Sequence, residues 1–241
     1  METEGGDCMF IVGHRGARAV HPENTVSALK EGMRCADFVE IDIRLTRDHI
    51  PVILHDATLD RTTDGSGPVG GRTLWEVQML DAGDGLPVPT LRDVCDLCLS
   101  SCGIVAEIKE PGSEGVICSI LREYDPDPFW IVSFHSESIR EAKRLLPCVK
   151  TGLICSTDCA DPFASVHAAG ADAILPRTDT VTQEFTTEAH RQGLSVVIWT
   201  VNSPEAYRRA AAWDADGWVT DDPCSLRAWA KMFTDRQWIR I

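Results

Sequence analysis

Short apolar runs alternate along this chain with longer segments whose apolar residues recur at helical spacing. The runs fall near residues 10–13, 38–45, 104–108, 130–133, 150–154, 172–175, 195–199 and 216–219. Several are short and rich in Val and Ile, as buried strands are. Between them the spacing predicts helices near 24–35, 90–100, 114–123, 136–146, 162–169, 181–192, 203–212 and 223–233. Asn24, Ser136, Asp161 and Ser203 stand where a side-chain oxygen caps a first turn, and Pro204 suits the first turn itself. Gly170 and Gly193 fall just past their helices, where a left-handed residue closes the last turn.

Strand–helix units of such regular length predict an α/β fold, a closed (β/α)8 TIM barrel. An open, doubly wound sheet is the competing architecture, and the regularity of the units favours closure. One stretch breaks the rhythm. Residues 56–89 are rich in Gly and turn dipeptides, with a single helical patch from Leu74 to Leu80. The stretch reads as a small insertion between strand 2 and helix 2 of a single domain spanning 1–241. In a barrel that loop lies on the C-terminal face, where active sites are built.

Length and composition fit this picture. The chain has 241 residues, 44% apolar and 25% charged, and barrels commonly run to about 250 residues. Its net charge of −14 argues against nucleic acid or an anionic membrane surface as a general partner. An anionic substrate must therefore meet a local positive site. Met1 to Asp7 are acidic and lack the apolar core of a signal peptide, and no 18-residue apolar span suggests a membrane helix. A cytoplasmic protein without stable membrane insertion is expected, its oligomeric state open. The ten cysteines read as reduced, mostly buried thiols. Cys95, Cys98 and Cys102 share one helix face, but no histidine or second Cys pair completes a zinc site, so packing accounts for them better.

Charged residues inside apolar strands are costly unless paired or bound to an ion. Glu40 and Asp42 interrupt the run 38–45 at alternate positions and so point to one side. His14 follows the apolar residues 9–13, and His55 follows Val52-Ile53-Leu54. Arg15 ends the first strand with His14, and Glu107 and Lys109 alternate near the end of the third. Ser133 and His135 follow the fourth strand, Trp199 and Asn202 the seventh, Thr220 and Asp221 the eighth. Two carboxylates in line with two imidazoles can bind a hard cation and move protons beside it, which is the chemistry of metal-assisted hydrolysis. A structural ion pair is the plain alternative for Glu107 with Lys109. Convergence of so many such residues at one barrel mouth weighs against it.

Taken in order, Gly13-His14-Arg15-Gly16, Pro22-Glu23-Asn24-Thr25, Glu40-Ile41-Asp42 and His55-Asp56, with Arg61-Thr62-Thr63 following, resemble the glycerophosphodiester phosphodiesterases. So do Leu80-Asp81-Ala82-Gly83, Pro89-Thr90-Leu91, Glu107-Ile108-Lys109, Trp199-Thr200-Val201-Asn202 and Thr220-Asp221-Asp222-Pro223. The resemblance covers nearly the whole chain and implies a (β/α)8 barrel with a small insertion after the second strand. It implies metal-dependent hydrolysis of small glycerophosphodiesters to sn-glycerol 3-phosphate and an alcohol. By the same resemblance Glu40, Asp42 and Glu107 bind one divalent cation, His14 and His55 form the acid–base pair, and Arg15 and Lys109 neutralise the phosphodiester. Oxygen-only ligands suit Mg²⁺ or Ca²⁺, with Mn²⁺ a third choice. Trp199 is expected to line the glycerol or alcohol side of the pocket, its alternative being a core indole that caps the barrel.

His14 is read as base and His55 as acid, and exchanged roles stay open. So does the choice between the glycerol 2-hydroxyl, giving a cyclic phosphate that water then opens, and direct attack by water. His135 departs from the family pattern and is read as a packing or surface residue; His21, His49, His167 and His190 are given no catalytic role. A lysophospholipid or phosphoinositide substrate would want an apolar rim. The insertion offers chiefly Leu74 and Trp75, so soluble deacylated head groups are favoured. A barrel that only binds or scaffolds would be expected to have lost a carboxylate or a histidine, and all are present.

Overall fold

The computed structural model describes residues 9–157 and 159–235, so the signal-peptide reading of Met1 to Asp7 and the thiol reading of Cys8 lie outside the described residues. Within them the chain forms β1 (Phe10–Gly13), β2 (Phe38–Leu45), β3 (Pro51–Ile53), β4 (Gly103–Ile108) and β5 (Phe129–Ser133). There follow β6 (Lys150–Cys155), β7 (Ala173–Pro176), β8 (Ser195–Ile198) and β9 (Gly217–Thr220). All but β3 run parallel, and β1 pairs with both β2 and β9, which closes the ring as the sequence predicts. The remaining strand, β3, is antiparallel to β2, with Ile53 opposite Ile43. It is built from the apolar residues before His55, folded back by a turn in which the Thr46 N–H donates to the Ile50 carbonyl at 3.1 Å.

Alternation along each strand decides which side chains meet inside the ring. Val12, Val105, Val132, Ile154, Val197 and Val219 form one aliphatic cluster there with Ala173 and Leu175. Below it Phe10 packs on Phe38 and Trp130, with ring centroids 5.3 and 5.5 Å apart. Glu40 lies opposite Val105 and Asp42 opposite Glu107, so the three carboxylates share the interior side toward the C-terminal end of the strands. The intervening Val39, Ile41 and Ile43 turn outward and are buried with Leu29, Leu91 and Val94. Each such side chain contributes roughly 1.5–3 kcal/mol on burial.

The helices are α1 (Val26–Met33), α2 (Leu74–Gln78), α3 (Leu91–Cys98), α4 (Glu114–Leu121) and α5 (Ser136–Leu145), followed by α6 (Pro162–Ala169), α7 (Gln183–Arg191), α8 (Pro204–Ala212) and α9 (Pro223–Asp235). Asp161 and Ser203 cap α6 and α8 as expected, each ahead of a first-turn proline, and Gly170 closes α6 at φ 68°. Two caps differ from the sequence reading. Thr25, not Asn24, caps α1, because Asn24 takes a left-handed φ of 60° and gives its amide to Asp42. At α5 the cap position is His135 rather than Ser136, without a side-chain bond.

Residues 56–89 carry α2 and are held beside β3 by a small cluster that includes Leu54, Leu59, Val69, Val77 and Val88. Cys95, Cys98 and Cys102 are buried in the core with thiols pushed up to about 12 by burial. They behave as small apolar residues. The expectation of reduced thiols is corrected at one pair, since Cys35 and Cys224 form a disulfide between the end of α1 and the start of α9. The expected cytoplasmic setting would tend to keep such a bond open. Among the described residues no helix is long and apolar enough to cross a membrane.

Candidate active site

The turn after β1 places the two candidate side chains His14 and Arg15 through its backbone. A Cβ on Gly13 would stand 2.2 Å from the Gly16 carbonyl, and one on Gly16 would stand 2.4 Å from the backbone of Ala28. Only glycine fits at either position. His14 continues the sheet ladder, its N–H donating to the Thr220 carbonyl at 2.8 Å. Arg15 takes a left-handed φ of 52°, which turns its backbone N–H onto Glu40 Oε2 at 2.8 Å.

At the end of β2 and β4, Glu40, Asp42 and Glu107 each bring one carboxylate oxygen within 4.8 Å of the others. Asp42 receives Asn24 Nδ2 at 2.8 Å, and Arg15 Nε and Lys109 Nζ approach it at 3.2 and 3.3 Å. Burial works to raise the Asp42 carboxyl, but Lys109, Arg15 and His55 overcome it and hold the group below its ordinary range. Glu40 goes the other way: burial, then Asp42 and Glu107, push it well above the usual carboxylate range. Glu107 is pushed up to about 7, by burial first and then by Asp42, despite the opposing charge of Lys109.

These shifts describe an excess of negative charge that the nearby side chains only partly balance. Glu40 Oε1 is buried without a hydrogen-bond donor. Glu107 Oε1 also lacks an aligned donor, although Lys109 Nζ lies 2.6 Å away as an ion-pair contact. Buried carboxylate oxygens without partners are expensive. An all-oxygen donor set with such free oxygens fits a hard divalent cation better than zinc.

The two histidines are each held by a carboxylate. His14 Nδ1 meets Asp221 Oδ1 and His55 Nδ1 meets Asp56 Oδ1, both at 2.6 Å. Asp221 and Asp56 are both held below the ordinary carboxylate range, so each is ionised and can only accept. The proton must then sit on Nδ1, which leaves Nε2 of either ring for chemistry. Burial lowers the His55 imidazole, more than Asp42 and Asp56 raise it.

One cavity of about 350 Å³ is lined by His14, Arg15, Glu40, His55, Glu107, Lys109 and Trp199, with Asp42 buried beside Glu40 and Glu107. All eight residues singled out in the sequence thus converge. Trp199 lines the cavity while its indole N–H donates to the Leu175 carbonyl at 2.8 Å. Phe134, which the sequence reading passed over, lies edge-on to Trp199 at 5.9 Å and beneath Lys109. Asp221 was visible as a strand-end and motif residue, Asp56 as part of a motif and Asn24 as a motif residue and cap, none with a partner assigned. For Asp221 and Asn24 the signal is adjacency in space to His14 and Asp42, whereas Asp56 directly follows His55 in the chain. His135 lies outside the cavity lining, and His190 pairs with Asp216 at 3.0 Å away from it.

A family model described as the glycerophosphoryl diester phosphodiesterase family matches residues 14–225. A glycerophosphodiester phosphodiesterase of Caldanaerobacter subterraneus subsp. tengcongensis is 33% identical over 232 residues, covering 90% of this chain and 96% of the relative. One from Bacillus subtilis is 30% identical over 251 residues, covering 90% and 85%. Among solved structures, a glycerophosphodiester phosphodiesterase from Agrobacterium tumefaciens superposes with a TM-score of 0.80 at 28% identity, over 92% of this chain and all of that one. An Oleispira antarctica phosphodiesterase in complex with the product sn-glycerol-3-phosphate gives a TM-score of 0.86 at 25% identity, over 92% and 96%.

Proposed function

The chain belongs to the glycerophosphoryl diester phosphodiesterase family, and on that footing we propose that it hydrolyses soluble glycerophosphodiesters to sn-glycerol 3-phosphate and an alcohol, using His14 and His55 beside one divalent cation. The observation that carries this reading is the meeting of Glu40, Asp42 and Glu107 with both histidines, Arg15 and Lys109 at one cavity. The product held by the Oleispira relative supports the same reaction.

A phosphodiester repels nucleophiles by its own charge, so that charge must be offset where it grows. Arg15 and Lys109 stand at the cavity as fixed cations, one able to fork and the other a point charge. Mg²⁺, Ca²⁺ or Mn²⁺ held by Glu40, Asp42 and Glu107 would add Lewis-acid stabilisation of the phosphoryl oxygens. His14 Nε2 takes the proton from the attacking hydroxyl, either water or the glycerol 2-hydroxyl of the substrate. His55 in its protonated form delivers the Nε2 proton to the departing alkoxide, which leaves as the neutral alcohol. If the 2-hydroxyl attacks, the cyclic phosphodiester is then opened by water with the two roles reversed. Trp199 and Phe134 present an apolar wall to the carbon skeleton of the substrate.

Release of choline and glycerol 3-phosphate from glycerophosphocholine tests the proposal. Activity is expected to vanish in EDTA and to return with one of Mg²⁺, Ca²⁺ or Mn²⁺. Absence of metal-dependent product from a full panel of glycerophosphodiesters would overturn it.

A further inference from the structure

Arg61 belongs to a motif of the chain that the reaction above does not use. Its guanidinium makes two forks. Nε and Nη2 donate to Asp56 Oδ2 and Oδ1 at 2.6 and 3.0 Å, while Nη1 and Nη2 donate to Glu23 Oε2 and Oε1 at 3.0 and 2.7 Å. Each carboxylate is shared. Asp56 Oδ1 also meets His55 Nδ1 at 2.6 Å, and Glu23 Oε1 also accepts from Arg15 Nη1 at 2.6 Å. A continuous chain of charge-assisted bonds therefore runs from His55 through Asp56, Arg61 and Glu23 to Arg15.

We propose that Arg61 is a positioning residue, fixing the His55 ring through Asp56 and tying that ring to the phosphate-side Arg15 through Glu23. The inference rests on the reading of His55 as general acid. Stability alone is a poor account of the arrangement. The Arg61 side chain is 48% exposed, and exposed ion pairs contribute little to folding. Truncation there removes surface rather than core. What four bonds from one planar group do supply is orientation, since a fork restricts rotation of both carboxylates where a point charge would not. Asp56 stands next to His55 in the chain and could otherwise turn away from its ring. With both of its oxygens held by Arg61, it presents Oδ1 to Nδ1 and so aims Nε2.

Leaving-group dependence tests this. An acid matters for an alkoxide, which cannot depart without a proton, and matters little for nitrophenolate, which can. Arg61→Lys, Arg61→Gln and Asp56→Asn are compared with wild type on glycerophosphocholine and on the p-nitrophenyl ester of glycerol 3-phosphate, with His55→Ala in parallel, by first-turnover release of choline or nitrophenolate, which precedes any opening of a cyclic phosphate. All three variants are expected to slow that release from glycerophosphocholine at least roughly tenfold and from the nitrophenyl ester less than about threefold, with thermal midpoints near that of wild type. Failure of lysine to rescue separates the forked geometry from mere charge. Equal losses on both substrates, or a wild-type Arg61→Lys enzyme while His55→Ala shows the split, would overturn the inference alone. If His55→Ala itself loses both substrates equally, the acid assignment fails and the positioning role falls with it.

Discussion

His14 Nδ1, just past the first strand of the barrel, lies 2.6 Å from the carboxylate of Asp221, just past the last. Closure of the ring makes this pair, since the residues are 207 positions apart and meet only because β9 returns to β1. Asp221 is further held by Asn202 Nδ2 at 2.9 Å and by Arg18 Nε at 3.1 Å. Asp221→Asn is expected to lower kcat at least tenfold with little change in KM, because an amide can also donate and so loses the fixed tautomer. The same variant has a stability signature. Burial would raise the Asp221 carboxyl, but His14, Arg18 and Asn202 hold it below its ordinary value. Its contribution is therefore complete above an unfolded value of about 3.9 and is lost as pH falls through the lower folded one. Acid unfolding below about pH 4 should be shallower in Asp221→Asn than in wild type.

Removing either ring is the direct test of the acid–base pair. His14→Ala and His55→Ala are each expected to lower kcat by roughly 10²-fold or more. Steady-state turnover of glycerophosphocholine measures this, and near-normal turnover in either variant would refute that assignment.

The carboxylates and Lys109 should respond in opposite ways. Glu40→Ala or Asp42→Ala is expected to abolish metal-dependent hydrolysis and calorimetric binding of Mn²⁺ while circular dichroism still shows the folded barrel. Taking away Glu40, whose carboxyl is pushed well up by burial and by its two carboxylate neighbours, relieves repulsion in the metal-free protein. Lys109→Ala leaves the carboxylates uncompensated and is expected to cost roughly 3–5 kcal/mol, read as a lower urea midpoint in EDTA. Equal stability in Lys109→Ala would show that the ammonium does not balance this site.

The disulfide makes a separate prediction. Cys35 and Cys224 are 189 residues apart, and a closed loop of that size restricts the unfolded chain strongly. Cys35→Ser, or reductant added to wild type, is expected to lower stability by roughly 2–5 kcal/mol. Urea unfolding with and without reductant measures it, and intact mass reports whether the bond is present.

Much of this architecture was readable because the strands are short apolar runs and the lumen obeys simple alternation. Glu40 and Asp42 interrupt such a run at positions that must share a side, and Glu107 does the same on the strand that proves to be their neighbour. What was not readable depends on backbone conformation or on distance. Asn24 resembles a helix cap in sequence, yet its left-handed backbone hands that role to Thr25 and frees its amide for Asp42. Cys35 and Cys224 carry no mark that distinguishes them from the buried free thiols. Asp221 and Arg61 stand in recognisable motifs, but His14 and Glu23, which they hold, lie on other segments, and motif order alone gives no contact.

The antiparallel strand β3 has a consequence for how this enzyme could change. His14 is set into the ring itself, whereas His55 follows β3 and is tied to ring strand β2 by the Leu54 N–H on the Asp42 carbonyl and by Arg44 Nε on the His55 carbonyl, both at 2.9 Å. The following residues, 56–89, have a small apolar cluster of their own and make none of the pairings that close the barrel. Residues could be added to that segment without moving Glu40, Asp42 or Glu107. The stretch beyond Arg61 is thus a part of the fold that can lengthen or change while His55, Glu40, Asp42 and Glu107 stay as they are.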